Sequence, residues 1–205
     1  KAFDNDPFAV KHFNKNVGRV AELIDLSSPD IPDLPDVDGI IGGPPCQGFS
    51  IAGKRKLTDP RSSLSLKFAE IIRKKQPTWF VMENVDGLLS MDFRHLLMKH
   101  FADGGYSNTR VLVLDAVKYG VAQFRKRLFF VGFRNNSCGL GLLPSPLPPE
   151  EWKKVKDVLP NYEYKWYYRH PRTYGRRAVY SVDEPSPTIR TVNRPMPPNY
   201  RRHPG

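Results

Sequence analysis

Apolar positions along this chain fall into two textures: short continuous runs, and rows spaced at helical period. Gly39-Ile40-Ile41, Trp79 to Met82, Val111 to Leu114 and Leu128 to Val131 are runs of the first kind. A run of that length bounded by Gly, Pro or charged residues reads as a buried strand. Leu64, Phe68, Ile71 and Ile72 follow i, i+4, i+7, i+8 and predict an amphipathic helix from about 63 to 75. Phe93, Leu96, Leu97 and His100-Phe101 predict another, ended near Gly104-Gly105. Asp6-Pro7 is a helix start, and Phe8, Ala9, Phe13 and Asn16 continue it over residues 7–16. Residues 27–38, rich in Ser, Pro and Asp, read as a loop.

Strands alternating with helices specify an α/β domain with a mostly parallel sheet. The last two strands have no helix-length pattern between them, so an antiparallel edge hairpin is expected there. Beyond residue 135 the texture changes, and Leu143-Pro144-Ser145-Pro146-Leu147-Pro148-Pro149 reads as a connector. The expected division is 1–135 for the main domain and 136–205 for a connector and a second, smaller region.

Charge adds a partner to this outline. The 205 residues carry a net charge of +11. Such a surplus fits a polyanion, most simply nucleic acid. Residues 160–205 hold nine Lys or Arg against three acids, with eight aromatic residues interleaved, including Tyr162, Tyr164, Trp166, Tyr167 and Tyr168. Basic groups neutralise phosphates, and aromatic rings stack on bases. No stretch approaches the ~18–20 apolar residues of a membrane span. The first residues show no secretory pattern, and a cytosolic or nuclear location is the default. The two cysteines, Cys46 and Cys138, exclude a disulfide scaffold. Without clustered His they suggest no metal site either. Cys138 reads as a loop or packing residue.

Cys46 is different because of its surroundings. It follows the predicted strand 39–41 in Gly42-Gly43-Pro44-Pro45-Cys46-Gln47-Gly48-Phe49-Ser50. Two prolines stiffen the approach to the thiol, and α/β enzymes keep their chemistry at strand ends. Glu83-Asn84-Val85 follows the next predicted strand, with its acid at the tip, and Gln123-Phe124-Arg125-Lys126-Arg127 precedes the last one. Taken singly, Glu83 reads equally as a helix-capping acid, and Arg125 and Arg127 as solvated ends of an edge strand. Together and in this order, the three elements resemble those of the DNA cytosine-5 methyltransferases.

That resemblance covers residues 1–135 well. It implies an S-adenosylmethionine-dependent methyltransferase fold, Rossmann-like, with part of a small target-recognition region behind it. It implies methyl transfer from S-adenosyl-L-methionine to carbon-5 of a cytosine flipped out of double-stranded DNA. Cys46 is then the nucleophile at carbon-6. Glu83 meets the ring's N3, Arg127 meets O2, and Arg125 supports the same site. Gln47, Ser50, Lys54 and Arg61, in a basic stretch rich in small residues, are the implied contacts to phosphate or base. For the cofactor, Asp4 and Asn5 stand where the family carries Glu and then a larger side chain. Asp25 matches the next acid, with Glu22 as an alternative. Pro45 and Leu64 match pocket-lining positions. The base that removes the carbon-5 proton is not identified.

The resemblance also implies elements that these residues do not contain. The family's first strand with its Gly-rich cofactor loop, and its last two motifs, are expected in a longer polypeptide or on a second chain. Two other readings share the same residues: a catalytically silent DNA-binding paralogue or split subunit, and an RNA cytosine-5 methyltransferase.

Overall fold

The computed structural model describes residues 1–28, 31, 33–45, 62–85, 93–134, 144–169 and 177–189. In chain order the strands and α-helices are β1 (Ala2–Asp4), α1 (Pro7–Asn16), β2 (Ala21–Leu23), β3 (Gly39–Gly42), α2 (Ser62–Lys75), β4 (Trp79–Val85), α3 (Phe93–Asp103), β5 (Arg110–Asp115), β6 (Gln123–Phe124), β7 (Lys126–Phe133), α4 (Val155–Val158), β8 (Trp166–Tyr168), β9 (Val179–Ser181) and β10 (Ser186–Pro187). The chain divides into two compact units that interleave in sequence: residues 1–113 with 128–139, and 114–127 with 140–205.

In the first unit, β1, α1 and β2 make a short crossover whose strands pair in parallel, with Asp4 opposite Leu23. The Asp6 carboxylate accepts from the Phe8 N–H at the start of α1, where Pro7 needs no donor. The Asn14 side chain then grips Ala21 through both its N–H and its carbonyl, tying α1 to β2. A four-stranded sheet follows in the order β3-β4-β7-β5. β3 and β4 are parallel, with Gly42 level with Met82. β5 and β7 are neighbours, as a hairpin requires, and β7 is the inner strand of the pair. The reading of Arg127 as part of an edge strand is therefore corrected: its strand lies between β4 and β5.

The core is aromatic. Phe80, Phe93, Phe101, Tyr106 and Phe130 are all at most 2% exposed. Phe80 lies 4.4 Å from Phe101 and 5.2 Å, edge to face, from Tyr106. Burying such rings removes a large apolar area from water and stabilises the unit accordingly. α2 lays Phe68, Ala69 and Ile72 onto this cluster. Phe68 also explains Gly42, because a Cβ on Gly42 would stand 2.6 Å from the Phe68 ring. The helix thus packs directly onto the bare backbone at the end of β3.

The second unit has short elements held by side chains. β6 pairs in parallel with β10, and β8 pairs antiparallel with β9. The Tyr167 and Tyr180 rings stack across that second pair at 5.9 Å. The Arg177 guanidinium lies 4.7 Å over Tyr180 and is also paired with the Glu184 carboxylate. α4 is anchored to the turn after β9, where the Val155 and Lys156 N–H groups donate to the Glu184 and Val182 carbonyls.

Candidate active site and cofactor cleft

In a parallel sheet, ligands sit outside the carboxyl ends of the strands. β1 ends at Asp4 and β3 at Gly42. The residues that continue from both line one cleft of about 480 Å³ in the first unit. That is an ordinary size for a cofactor site. The five residues expected to hold a cofactor, Asp4, Asn5, Asp25, Pro45 and Leu64, all line it.

Local hydrogen bonds set the two acids in place. Asp4 accepts from the Asp6 N–H at 2.9 Å, so the turn after β1 fixes its carboxylate. Asp25 accepts from the Ser27 N–H at 2.8 Å. Hydrogen bonds from the Ser27 side chain and backbone hold the Asp25 carboxyl below its ordinary pKa, keeping it ionised at neutral pH. Glu22, the alternative to Asp25, is paired with Lys1. Apolar wall is supplied by Phe3, Ile24, Leu34 and Ile40. Two fixed carboxylates against apolar wall suit a ligand with hydroxyl or amino donors on a flat ring. The sequence reading missed Phe3 and Ile24. Their signal was weak, because β1 and β2 are only three residues each.

β4 runs three residues past its apolar stretch, so Glu83 lies within a strand rather than at a helix cap. A Cβ on Gly43 would stand 3.4 Å from a Glu83 carboxylate oxygen. Asn84, 2% exposed, donates from its side chain to the Pro44 carbonyl at 3.3 Å. Glu83 and Asn84 therefore both reach the stretch that leads to Cys46. Cys46, Gln47, Ser50, Lys54 and Arg61 lie outside the described residues.

Arg125 and Arg127 belong to the second unit. The Asp115 carboxylate accepts from the Arg125 N–H at 3.0 Å, and the Arg125 carbonyl accepts from the Ala116 N–H at 3.0 Å. Thr188 donates its hydroxyl to the Phe124 carbonyl at 2.7 Å. Phe124 meets Trp152 edge to face at 5.7 Å. Both arginines are half-buried, and Arg127 donates to the Lys126 carbonyl. Among the described residues no group of three or more His, Cys, Asp or Glu is placed to hold a metal ion. No helix among them is long and apolar enough to cross a membrane.

The sequence pattern of the family described as C-5 cytosine-specific DNA methylase matches residues 1–196. The type II methyltransferase M.HgiDI of Herpetosiphon aurantiacus is 41% identical over 99% of this chain and 67% of its own length. The type II methyltransferase M.HindV of Haemophilus influenzae is 39% identical over 97% of this chain and 67% of its own. Among solved structures, the Dnmt2 methyltransferase of S. pombe superposes with a TM-score of 0.58 at 23% identity, covering 76% of this chain and 51% of that one. The methyltransferase EhMeth of Entamoeba histolytica reaches 0.62 at 18%, covering 83% and 54%. At those identities the two structures show the fold alone. The chain spans about two thirds of the curated relatives and about half of these solved chains.

Proposed function

This chain belongs to the C-5 cytosine-specific DNA methylase family, and we propose that it is the catalytic part of an S-adenosyl-L-methionine-dependent DNA cytosine-5 methyltransferase. The names of its relatives support a type II modification enzyme, acting on double-stranded DNA beside a restriction partner. One observation carries the reading furthest. The cleft that gathers Asp4, Asn5, Asp25, Pro45 and Leu64 is bounded by the same Gly43-Pro44-Pro45 stretch that Glu83 and Asn84 touch. A cofactor cleft and the approach to a candidate nucleophile thus share one strand end.

The residues fit S-adenosyl-L-methionine. Asp4 and Asp25 accept from hydroxyl and amino groups, Phe3 and Ile24 offer apolar contact, and Leu64 and Pro45 add to the lining. When bound, this cofactor supplies an electrophilic methyl group. The protein's task is to make cytosine carbon-5 nucleophilic. The Cys46 thiolate adds to carbon-6, and the ring's electrons move toward N3 and O2. The Glu83 carboxyl group meets N3, while the Arg127 guanidinium stabilises charge at O2 and Arg125 supports it. Once carbon-5 is methylated, a base takes its proton and the Cys46–carbon-6 bond breaks. Reaching carbon-5 requires flipping the base, at about a few kcal/mol, which contacts from Gln47, Ser50, Lys54 and Arg61 offset.

The test is covalent trapping. The full-length protein, S-adenosyl-L-methionine and duplex DNA carrying 5-fluorocytosine are incubated and read by mass spectrometry, with Cys46→Ser alongside. An adduct on Cys46 that the variant lacks is the expected result. DNA binding without any adduct would replace this reading with a silent DNA-binding subunit.

A further inference from the structure

We infer that Asn84 is a positioning residue for the backbone that carries Cys46, an inference that rests on the function proposed above. The argument begins with a gap in the hydrogen-bond ladder. β3 and β4 pair in parallel from Gly39 and Trp79 to Gly42 and Met82. Continuing the ladder needs a backbone N–H on every second residue. Pro44 and Pro45 have none, so β3 cannot go on pairing through its own donors. The Pro44 carbonyl still needs a donor, since it leaves the sheet half-buried.

Asn84 supplies that donor. Its side-chain amide donates to the Pro44 carbonyl, and its side-chain carbonyl accepts from the Val85 N–H at 2.8 Å. Both ends of the amide are in use, one on the loop and one on its own strand. The placement is costly enough to require a reason. Along β4 the buried row is Phe80, Met82, Asn84, so Asn84 occupies a place where its two predecessors are apolar. A buried amide is tolerated only when its bonds are made. Because side chains alternate along a strand, Glu83 and Asn84 leave opposite faces of β4. Glu83 reaches Gly43 from one face, and Asn84 holds Pro44 from the other.

The anchor is transmitted to the thiol by covalent geometry. Cys46 lies two residues beyond Pro44, and the Pro45 ring fixes φ on the way. Holding the Pro44 carbonyl leaves few free rotations before the Cys46 sulfur. Asn84 thus acts on the nucleophile through the chain and touches no substrate.

The experiment compares the full-length protein with Asn84→Asp, which keeps the shape and the acceptor oxygen but loses the N–H donor. Asn84→Ser, too short to span to Pro44, is the second variant should the first fail to fold. Steady-state methylation, S-adenosyl-L-methionine affinity, thermal unfolding, iodoacetamide labelling of Cys46 and adduct formation with 5-fluorocytosine DNA are measured together. A displaced nucleophile is expected to lower kcat and the adduct rate by about 10²-fold. Tm should fall with the lost bond, but KM for DNA and cofactor affinity should stay near those of the parent, while the labelling rate of Cys46 shifts. Unchanged kcat and adduct rate in a folded variant would overturn the inference. So would losses in KM and cofactor affinity as large as the loss in kcat, which mark a merely structural residue. If the parent protein itself forms no adduct, the proposed function falls first, and this inference with it.

Discussion

A Glu83 carboxylate oxygen lies 3.4 Å from the place that a Cβ on Gly43 would occupy. The end of β3 therefore passes Glu83 at contact distance, and only a hydrogen separates backbone from carboxylate. Gly43→Ala puts a methyl group there without overlap, so the variant should fold normally. It should also methylate a few-fold more slowly, because an apolar carbon now faces one side of the acid. Gly43→Val adds branches that press on the Glu83 carboxylate, which is already at contact distance from the Cβ. A carboxylate displaced by about 1 Å loses roughly 10²-fold in rate. Methyl incorporation by the two variants, beside their thermal unfolding, measures this. A Val variant as fast as the parent protein would remove Glu83 from the proposed chemistry.

Asp25 gives the cofactor cleft its own test. Its carboxyl is held below the ordinary value by Ser27, and a depressed pKa means that the charge survives until pH falls through that lowered value. Binding of S-adenosyl-L-methionine to the full-length protein should therefore stay flat from about pH 8 to pH 5, so far as Asp25 controls it. Asp25→Asn keeps an acceptor oxygen and loses the charge. Losing the charge weakens the hydrogen bonds that the ligand donates, so affinity should fall by roughly tenfold. Calorimetric titration across pH reads both effects. A parent affinity that already declines between pH 8 and 6 would show that another group governs the cleft.

Asp115 and Arg125 form the matching relationship in the second unit. The Asp115 carboxylate and the Ala116 N–H bond the Arg125 backbone from both sides. Asp115→Ala removes one of these bonds and leaves a half-buried N–H without its partner, at about 1–2 kcal/mol. Methyl transfer should slow by about tenfold if the arginines must be held in place. Asp115→Asn still offers an oxygen and should recover most of the rate. Kinetics and unfolding of the pair decide between hydrogen bonding and charge, since an Asn variant as poor as Ala would assign the role to the charge.

The parts of this fold that were legible in the sequence are those where apolar spacing reports burial. The row Leu64, Phe68, Ile71, Ile72 became α2, and Phe68, Ile71 and Ile72 are buried in it. The run Trp79 to Met82 became β4, but the strand continues to Val85. Glu83 and Asn84 are polar residues inside a paired strand, and polarity disguised its true end. β1 and β2 have three residues each, and β6 and β10 have two, too few for any period to register. The proposed cofactor residues illustrate a second limit. No local pattern joins Asp4, Asp25 and Leu64, which come from three separate stretches of chain, and only the family resemblance named them together. The interleaved compact units have a related cause. Residues 114–127 are held by bonds to distant segments, such as Ser186 N–H to the Ala122 carbonyl and Leu147 N–H to the Lys118 carbonyl, and no window of sequence displays those.

Tyr106 makes the stability of the first unit depend on alkaline pH. Its ring is fully buried against Phe80, and its hydroxyl donates to the Pro77 carbonyl at 2.6 Å. Burial pushes its pKa above the ordinary value of 10.0, and nearby Arg134 offsets only part of that. A raised value means that the folded state keeps the proton after the unfolded state has lost it. The contribution is therefore complete below the unfolded pKa and is lost as pH rises from about 10 through the folded value. At pH 7, Tyr106→Phe should cost about 1–2 kcal/mol, the effect of a lost bond and an unpaired Pro77 carbonyl. Above about pH 10 the parent protein loses stability through Tyr106 and the variant does not, so the gap between them should narrow. Urea unfolding of both proteins from pH 7 to pH 11 measures it, with phenolate absorbance followed in parallel. A gap that stays constant over that range would mean that Tyr106 ionises as readily in the folded protein as in the unfolded chain.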